Sequence, residues 1–239
     1  MTENAYAKAG VDTEAGDLAV ELMKRSVSAT HNDLVFGGLG GFAGMMDVSF
    51  IKNYQQPLLA TSTDGVGTKV AIAQAIDKHD TIGQDLVGMV VDDIVVVGAK
   101  SLFMTDYIAC GKVIPERIAD IVRGIAEACS SVGVALVGGE TAEHPGLLGV
   151  DDYDVAGAAV GVVDAAKLLG PQNVRVGDVV LGMHGCARRF SDHRRGPCPR
   201  RRGRGLRRAR EVGRADRRER GGPELYAWRR RLYRRGVAL

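Results

Sequence analysis

Aromatic side chains and long apolar runs are scarce in this sequence. Phe, Trp and Tyr make up 5% of the 239 residues, and Trp occurs once. A helix that spans a membrane needs roughly 20 predominantly apolar residues, and the best candidate, Val87 to Val97, is interrupted by Asp92 and Asp93. The first residues are polar and lack the basic and apolar stretches of a signal peptide. We therefore expect a cytoplasmic protein without a membrane partner.

Cysteine is also scarce, with four residues in the chain. Cys110 and Cys129 occur in apolar surroundings, which is typical of reduced core cysteines in a cytoplasmic protein. Cys186 and Cys198 lie near histidines, but their spacing matches none of the usual zinc-binding patterns. The sequence therefore predicts no zinc site.

The end of the chain lacks six residue types that the rest of the chain uses. Residues 185–239 contain no Lys, Ile, Asn, Met, Gln or Thr. They hold 20 Arg and 5 acidic residues, a net charge of +15, whereas residues 1–184 hold 12 basic and 24 acidic residues, a net charge of −12. Most of the missing types have codons that begin with A, which indicates GC-rich DNA read in the wrong frame. We expect residues 185–239 to be an aberrant, disordered tail that follows a frameshift.

The alternative interpretation of this tail is a genuine segment that binds nucleic acid non-specifically. Arginine-rich segments bind phosphate backbones without sequence preference, and residues 200–205 superficially resemble one. Aromatic residues that could stack on bases are sparse, however, and a selected basic tail would use Lys as well as Arg. The frameshift is the favoured interpretation, so we expect no specific nucleic-acid partner.

Before the tail, apolar residues recur alternately at helical and at strand spacing. Helices are predicted over 15–23, 70–76, 82–94 and 115–129, and strands over 42–51, 58–63, 102–110, 134–137, 153–163 and 179–183. This alternation indicates a mixed α/β (α+β) domain with a sizeable core.

A strand-to-helix turn with two glycines carries the first candidate site, the segment Ser62 to Lys69. Gly65 and Gly67 let backbone amides approach an anion closely. Asp64 can hold Mg²⁺, which prefers carboxylate oxygens, and Lys69 can contact phosphate as a point charge. The spacing is not that of a Walker motif. Taken alone, such a segment is more often an ordinary turn.

Two further segments place polar residues next to apolar runs. Asp92 and Asp93 would be costly to bury without a partner, so they indicate a metal or a buried cation, with a solvated helix face as the alternative. The segment 138–146 continues a predicted strand into a glycine pair and polar residues, either a binding edge or a capped loop. Asp85 and Asp106 are weaker candidates, and Asp106 is interpreted as a strand-end residue.

Together these segments resemble one family, aminoimidazole ribonucleotide synthetase, also called phosphoribosylformylglycinamidine cyclo-ligase. The matching stretches, in the order and spacing of the family, are 6–12, 62–69, 79–83, 92–99, 106–109, 138–146 and 153–163. Glycine turns and aspartates alone would suit the wider ATP-binding superfamily, whereas residues 6–12 and 140–146 point to the cyclo-ligase branch. The chain departs from the family at Lys100-Ser101, where a Pro is common, and after residue 182, where the family continues into a second domain.

The resemblance implies an ATP-dependent ligase of purine synthesis. ATP would phosphorylate the amide oxygen of formylglycinamidine ribonucleotide, and the amidine nitrogen would then close the ring to aminoimidazole ribonucleotide with release of phosphate. It also implies a homodimer, in which the first domains of both subunits contribute strands to a barrel. We place the ATP-binding and dimerisation domain in residues 1–167, a linker and the first strand of a second domain in residues 168–184, and the tail in residues 185–239. We expect this chain to be defective as an enzyme.

The resemblance assigns a role to each candidate residue. The catalytic residues would be Asp64, Lys69 and Asp93. The Mg²⁺ ligands would be Asp64, Asp92 and Asp93. The ATP-binding residues would be Gly37, Gly38, Gly40, Gly41, Gly65, Gly67, Thr68 and Lys69, with Gly37–Gly41 as a flexible cover. The substrate-binding residues would be Glu140 and Thr141.

Overall fold

The computed structural model describes residues 11–38, 40–41 and 43–180. The predictions for residues 1–10 and for the tail, including its disorder and its nucleic-acid-binding alternative, lie outside the described residues. Among the helices that are described, none is long and apolar enough to cross a membrane.

Helices and strands alternate along the described chain, which confirms the mixed α/β prediction. In chain order they are α1 (Thr13–Ser28), β1 (Val35–Phe36), β2 (Met45–Met46), β3 (Pro57–Gly65), α2 (Lys69–Ala75), α3 (Ile82–Val95), β4 (Lys100–Cys110), α4 (Pro115–Val132), β5 (Ala135–Glu143) and β6 (Tyr153–Asp164). Short 3₁₀ turns occupy Ser49–Asn53, Ala165–Lys167 and Pro171–Asn173.

The ends of the two longest helices follow local sequence signals. Asp12 caps α1, where its carboxylate accepts a hydrogen bond from the amide of Ala15 at 3.0 Å. Pro115 occupies the first turn of α4, where its missing N–H costs nothing. The same helix ends at Gly133, whose φ of 70° lies in the left-handed region that glycine adopts easily. Local side-chain and backbone chemistry therefore explains where these two helices begin and where α4 ends.

Four strands form the main sheet in the order β3-β6-β4-β5. The strands β4 and β5 run parallel and are connected through α4, whereas β6 runs antiparallel to both of its neighbours. The helices α3 and α4 pack together, and α3 lies against β3, β4 and β6. On the opposite face of the sheet Leu59 keeps 71% of its surface and Tyr107 keeps 39%. The helices therefore bury one face of the sheet, and the other face carries exposed side chains.

The core lies between this sheet and the helices, and glycines set the distance between α3 and α4. The largest fully buried side chains include Leu86, Ile94, Met104, Ile108, Ile118, Ile121 and Ile125. A Cβ atom on Gly83 of α3 would overlap the backbone nitrogen of Ile125 in α4. A Cβ atom on Gly124 would overlap the carbonyl oxygen of Asp80, directly before α3. The two helix backbones can approach this closely only because both positions lack a side chain.

Two strand predictions are wrong. The segment 42–51 contains the two-residue strand β2 and the start of a 3₁₀ turn rather than one long strand. The strand β5 does not stop at its glycine pair but continues to Glu143, because β4 offers pairing partners as far as Cys110. Of the strand predicted over 179–183, Val179 and Val180 are in no strand, and the remaining residues lie outside the described part.

The glycine contact between α3 and α4 predicts opposite effects for two alanine substitutions in α3. Gly83→Ala should lower the free energy of unfolding by about 1–3 kcal/mol, because the methyl group must displace the backbone of α4. Gly88→Ala is the matched control: a Cβ atom at that position would meet nothing within 4 Å, so it should raise stability by up to about 1 kcal/mol through helix propensity. Denaturant unfolding of both variants tests this, and equal effects would contradict the close packing.

Candidate active site

One group of candidate residues lies where α3 packs against β3. The Oγ of Ser62 in β3 donates a hydrogen bond to Oδ2 of Asp93 in α3 at 2.9 Å. Asp64 lies two residues further along β3 and therefore on the same face of the strand as Ser62. Its Oδ1 accepts a hydrogen bond from the amide of Gly65 at 2.7 Å. The fold thus places Asp64 and Asp93, which are far apart in sequence, on the sides of β3 and α3 that face each other; these residues are here called the carboxylate cluster.

Lys69 joins the carboxylate cluster through a residue that was only a weak candidate. It is the first residue of α2, and its Nζ lies 2.8 Å from Oδ1 of Asp85 and 3.6 Å from Sδ of Met89. Both charged side chains are 42% exposed, and a pair so accessible to water contributes only about 0–1 kcal/mol to stability. Lys69 can therefore exchange Asp85 for a phosphate at little cost. The helical spacing of Asp85, Met89 and Asp93 was the sequence signal for this shared face.

The carboxylate cluster fits a magnesium ion that is shared with phosphates better than a preformed metal cage. Asp92 and Asp93 are both exposed, so the burial cost that suggested a buried cation does not arise. Within the described ranges, no group of three or more His, Cys, Asp or Glu side chains is arranged to hold a metal. Magnesium commonly takes one or two carboxylates and completes its shell with water and substrate phosphates. The oxygen donors of Asp64 and Asp93 match that requirement.

The glycine turn leads from the carboxylate cluster into α2. Gly67 has a φ of 67°, in the left-handed region, and it and Thr68 are exposed. The amide of Gly65 is used by Asp64, and the amide of Val66 donates to the carbonyl of Val155 at 2.9 Å. Residues 67 and 68 are therefore the part of this turn that faces solvent at the start of the helix.

All of the remaining candidate residues except Gly37 line a separate cavity of about 730 Å³. Its wall is formed by α1, by the loop after β1 and by the second half of β5, and among its residues are Gly38, Gly40, Gly41, Asp106, Glu140 and Thr141. Asp64, Lys69 and Asp93 are not part of this wall. The structure therefore divides the predicted site residues between the carboxylate cluster and this glycine-lined cavity.

Two local features hold the glycine-lined cavity open. Gly37, Gly38 and Gly40 have φ values of 94°, 70° and 104°, which other residues adopt only with strain. The end of α1 is tied to β5, because the amide of Leu136 donates to Oγ1 of Thr30 at 2.9 Å and its carbonyl lies 2.9 Å from Nε2 of His31. These contacts use backbone groups of the outermost strand, and they fix α1 beside it.

The register of the sheet places the two sites at the same level. Asp64 pairs with Gly157 of β6, Gly157 pairs with Asp106 of β4, and Asp106 pairs with Gly139 of β5. Residues paired in this way point to the same face. Because neighbouring strands are about 4.8 Å apart, the backbones of Asp64 and Asp106 are separated by roughly 10 Å.

Asp106 is the functional candidate that sequence reasoning undervalued. It is not at a strand end but inside β4, where it keeps 9% of its surface, and its Oδ2 has no hydrogen-bond partner. Burial raises the pKa of this carboxyl to about 7. A Cβ atom on Gly139 would overlap its Oδ1, so only glycine at position 139 leaves room for the carboxyl. The available signal was a charged residue in the middle of an apolar, alternating strand.

The buried carboxyl of Asp106 predicts a pH-dependent stability. Its folded-state pKa of about 7 exceeds the ordinary value of 3.8, so the folded chain retains a proton that the unfolded chain releases as pH rises from 4 to 7. Stability should therefore fall over that range, by up to about 4 kcal/mol from this group.

Asp106→Asn should remove this part of the pH dependence, because the amide does not titrate. Unfolding measured in denaturant between pH 5 and pH 8 gives the slope for both proteins. Asp33→Asn, at an exposed carboxylate, is the control that should keep the wild-type slope. An unchanged slope in Asp106→Asn would show that Asp106 is ionised at low pH.

Comparison with known proteins agrees with the motifs. Residues 45–163 match the family model described as AIR synthase related protein, N-terminal domain. A phosphoribosylformylglycinamidine cyclo-ligase from Lachnospira eligens is 53% identical over 178 residues, which are 74% of this chain and 52% of that protein. One from Geobacillus thermodenitrificans is 52% identical over 179 residues, 75% of this chain and 51% of that protein.

A solved structure shares the fold at much lower identity. E. coli HypE, a hydrogenase maturation protein, aligns with a TM-score of 0.52 and 18% identity over 67% of this chain and 47% of that chain. The chain spans about half the length of the curated relatives that it matches. Its N-terminal domain, in residues 45–163, places it in the family of AIR synthase related proteins.

Proposed function

We propose that this chain carries the nucleotide-binding domain of a phosphoribosylformylglycinamidine cyclo-ligase. The observation that carries this proposal is the identity of 53% over 178 residues with a protein of that name. In the proposed reaction the amide oxygen of formylglycinamidine ribonucleotide is phosphorylated, and the amidine nitrogen closes the imidazole ring. The alternative, a nucleic-acid-binding protein, receives no support from the comparisons.

The carboxylate cluster is the proposed place for the nucleotide phosphates. ATP supplies the phosphoryl group, and Mg²⁺ neutralises the charge of its phosphates when both are bound. Asp64 and Asp93, with Asp92 beside them, offer carboxylate oxygens for the ion. Lys69 would leave Asp85 and contact a phosphate, which its exposed position allows. Of the amides from Gly65 to Thr68 that the resemblance assigns to phosphate, those of Gly67 and Thr68 would contact oxygen atoms of the nucleotide, because the amides of Gly65 and Val66 are already used within the fold.

The glycine-lined cavity is the proposed place for the ribonucleotide substrate. Glu140 and Thr141 lie in its wall, on adjacent positions of β5. The resemblance assigns Gly37, Gly38, Gly40 and Gly41 to ATP, but Gly38, Gly40 and Gly41 line this cavity. We therefore propose that this loop, which has positive φ at Gly37, Gly38 and Gly40, covers the ribonucleotide. In such a loop, backbone groups can approach a ligand closely because glycine has no side chain.

A homodimer is proposed because the helix-free face of the sheet exposes apolar side chains. Leu59 keeps 71% of its surface there, and Tyr107, whose hydroxyl lies 3.0 Å from Nε2 of His144, keeps 39%. Exposed patches of this kind favour association. The domain of residues 1–167 would supply this surface, residues 168–184 would lead to a second domain, and residues 185–239 would add nothing to the site. The reduced, buried thiols of Cys110 and Cys129 support a cytoplasmic location.

The proposal predicts that Mg²⁺-dependent ATP binding needs the carboxylate cluster. Asp64→Asn and Asp93→Asn should each weaken the binding of Mg·ATP at least tenfold, because the amide keeps the shape and loses the charge that the ion requires. Isothermal titration with the full chain measures both affinities, and thermal unfolding should show that neither variant is misfolded.

Asp154→Asn is the matched control, since Asp154 accepts a hydrogen bond from the next amide at 2.8 Å much as Asp64 does at 2.7 Å. Its affinity for Mg·ATP should equal that of the unsubstituted chain. Equal affinities in all four proteins would remove the carboxylate cluster from the nucleotide site.

The same proposal predicts little turnover by the chain on its own. The resemblance assigns one wall of the catalytic cleft to a second domain, and a reaction of this type depends on holding both reactants in one closed site. ATP-dependent formation of aminoimidazole ribonucleotide should therefore be far slower than for the complete Geobacillus thermodenitrificans relative. Comparable rates would show that the first domain is sufficient.

A further inference from the structure

Asp106 is an unexplained group in the wall of the glycine-lined cavity. Of the carboxyl groups in the described part of the chain, it is the buried one with an unpartnered oxygen. An unpaired buried carboxyl destabilises the fold, so its presence indicates a partner that arrives with a ligand. No role in the proposed nucleotide site involves it, because Asp64, Lys69 and Asp93 lie outside this cavity.

We propose that Asp106 recognises a cationic nitrogen donor of the amidinium class that enters the glycine-lined cavity. The identity of the natural ligand rests on the proposed function, in which the amidine of the ribonucleotide would be the cationic group. The charge and the chemical class of the ligand are inferred from the cavity alone.

The charges around the cavity favour a cation. Its wall is lined by two acidic residues, Asp106 and Glu140, and by one basic residue, Lys24. The Nζ of Lys24 lies 3.6 Å from Oε2 of Glu21 on the same helix, so the lysine has an acidic neighbour outside the wall. Beneath Asp106, the thiol of Cys129 is fully buried, and burial together with the nearby Asp106 raises its pKa to about 12, so it adds no charge. A cationic ligand would therefore meet more acidic than basic residues in this wall.

The geometry of the wall favours N–H donors over a metal ion. The described part of the chain offers no group of three metal-ligating side chains, and Asp106 is a single carboxyl with one unpartnered oxygen. One N–H donor satisfies that oxygen, and a charged donor forms the stronger hydrogen bond. An amidinium presents further N–H groups that are available to backbone carbonyls in the cavity wall.

A glycine provides the space beside Asp106. Gly138 pairs with Thr105 and therefore points to the face opposite Asp106, where a Cβ atom would meet nothing within 4 Å. A Cβ atom on Gly139 would instead overlap Oδ1 of Asp106. The absence of a side chain at position 139 is thus what allows the carboxyl to lie next to the open space.

The test uses the full chain, labelled with ¹³C at the aspartate carboxyl carbons, and acetamidinium chloride as the probe. Nuclear magnetic resonance at pH 8 and constant ionic strength should show a saturable shift of the Asp106 signal. The pKa of the Asp106 carboxyl should fall when acetamidinium is present, because the bound cation favours the carboxylate. Acetamide, which has the same shape without the charge, should bind at least tenfold more weakly.

Two matched variants separate this subsite from general charge attraction. Asp106→Asn and Asp33→Asn lose the same charge, but Asp33 is an exposed residue outside the cavity wall. Acetamidinium should bind Asp33→Asn normally and Asp106→Asn at least tenfold more weakly. Gly138→Ala should fold and retain the probe, whereas Gly139→Ala should lose it.

The proposal is overturned if acetamidinium leaves the Asp106 signal and its pKa unchanged in the unsubstituted chain, a result that needs no variant. It is equally overturned if Asp106→Asn binds the probe within twofold of the unsubstituted chain. If the proposed function is wrong, the result differs. The binding of Mg·ATP would then not depend on Asp64 or Asp93, while acetamidinium would still bind at Asp106.

Discussion

The close approach of α3 to α4 is the constraint on which the rest of the structure depends. Gly83 and Gly124 let the two backbones touch, which makes the helices a single layer over one face of the sheet. That layer presents Asp93 to Ser62 on β3 and closes the interior around Asp106 on β4. A wider separation would open the core, because protein interiors are packed too densely to absorb an added methyl group without shifts.

Sequence reasoning located the helices because their signals are local. The cap at Asp12, the proline at the start of α4 and the helical spacing of apolar residues each depend on a few neighbouring positions. The length of β5 could not be predicted in the same way. Its glycine pair is typical of a strand end, and the strand continues only because β4 supplies pairing partners from a distant part of the chain.

The separation of the candidate residues into two sites also could not be predicted from local sequence signals. Which candidate residues share a surface depends on strand order, and the order β3-β6-β4-β5 puts Asp64 and Glu140 on opposite outer strands. The burial of Asp106 has the same origin, since its side chain points to the helix-covered face only in the observed register. A charged residue among alternating apolar residues was visible in the sequence, but its meaning required knowledge of which face is covered.

The carboxylate cluster and the glycine-lined cavity affect the stability of the fold differently, and this difference is consistent with separate roles for the two sites. Lys69 and Asp85 form an exposed pair that contributes little to stability and can be exchanged when a ligand arrives. Asp106 is instead held without a partner in the interior, which lowers stability until a ligand supplies a donor. The register places Asp64 and Asp106 two strands apart, roughly 10 Å, with Gly157 between them. A phosphate at the first carboxylate and a nitrogen donor at the second would therefore meet at one level of the sheet, as a transfer between two bound ligands requires.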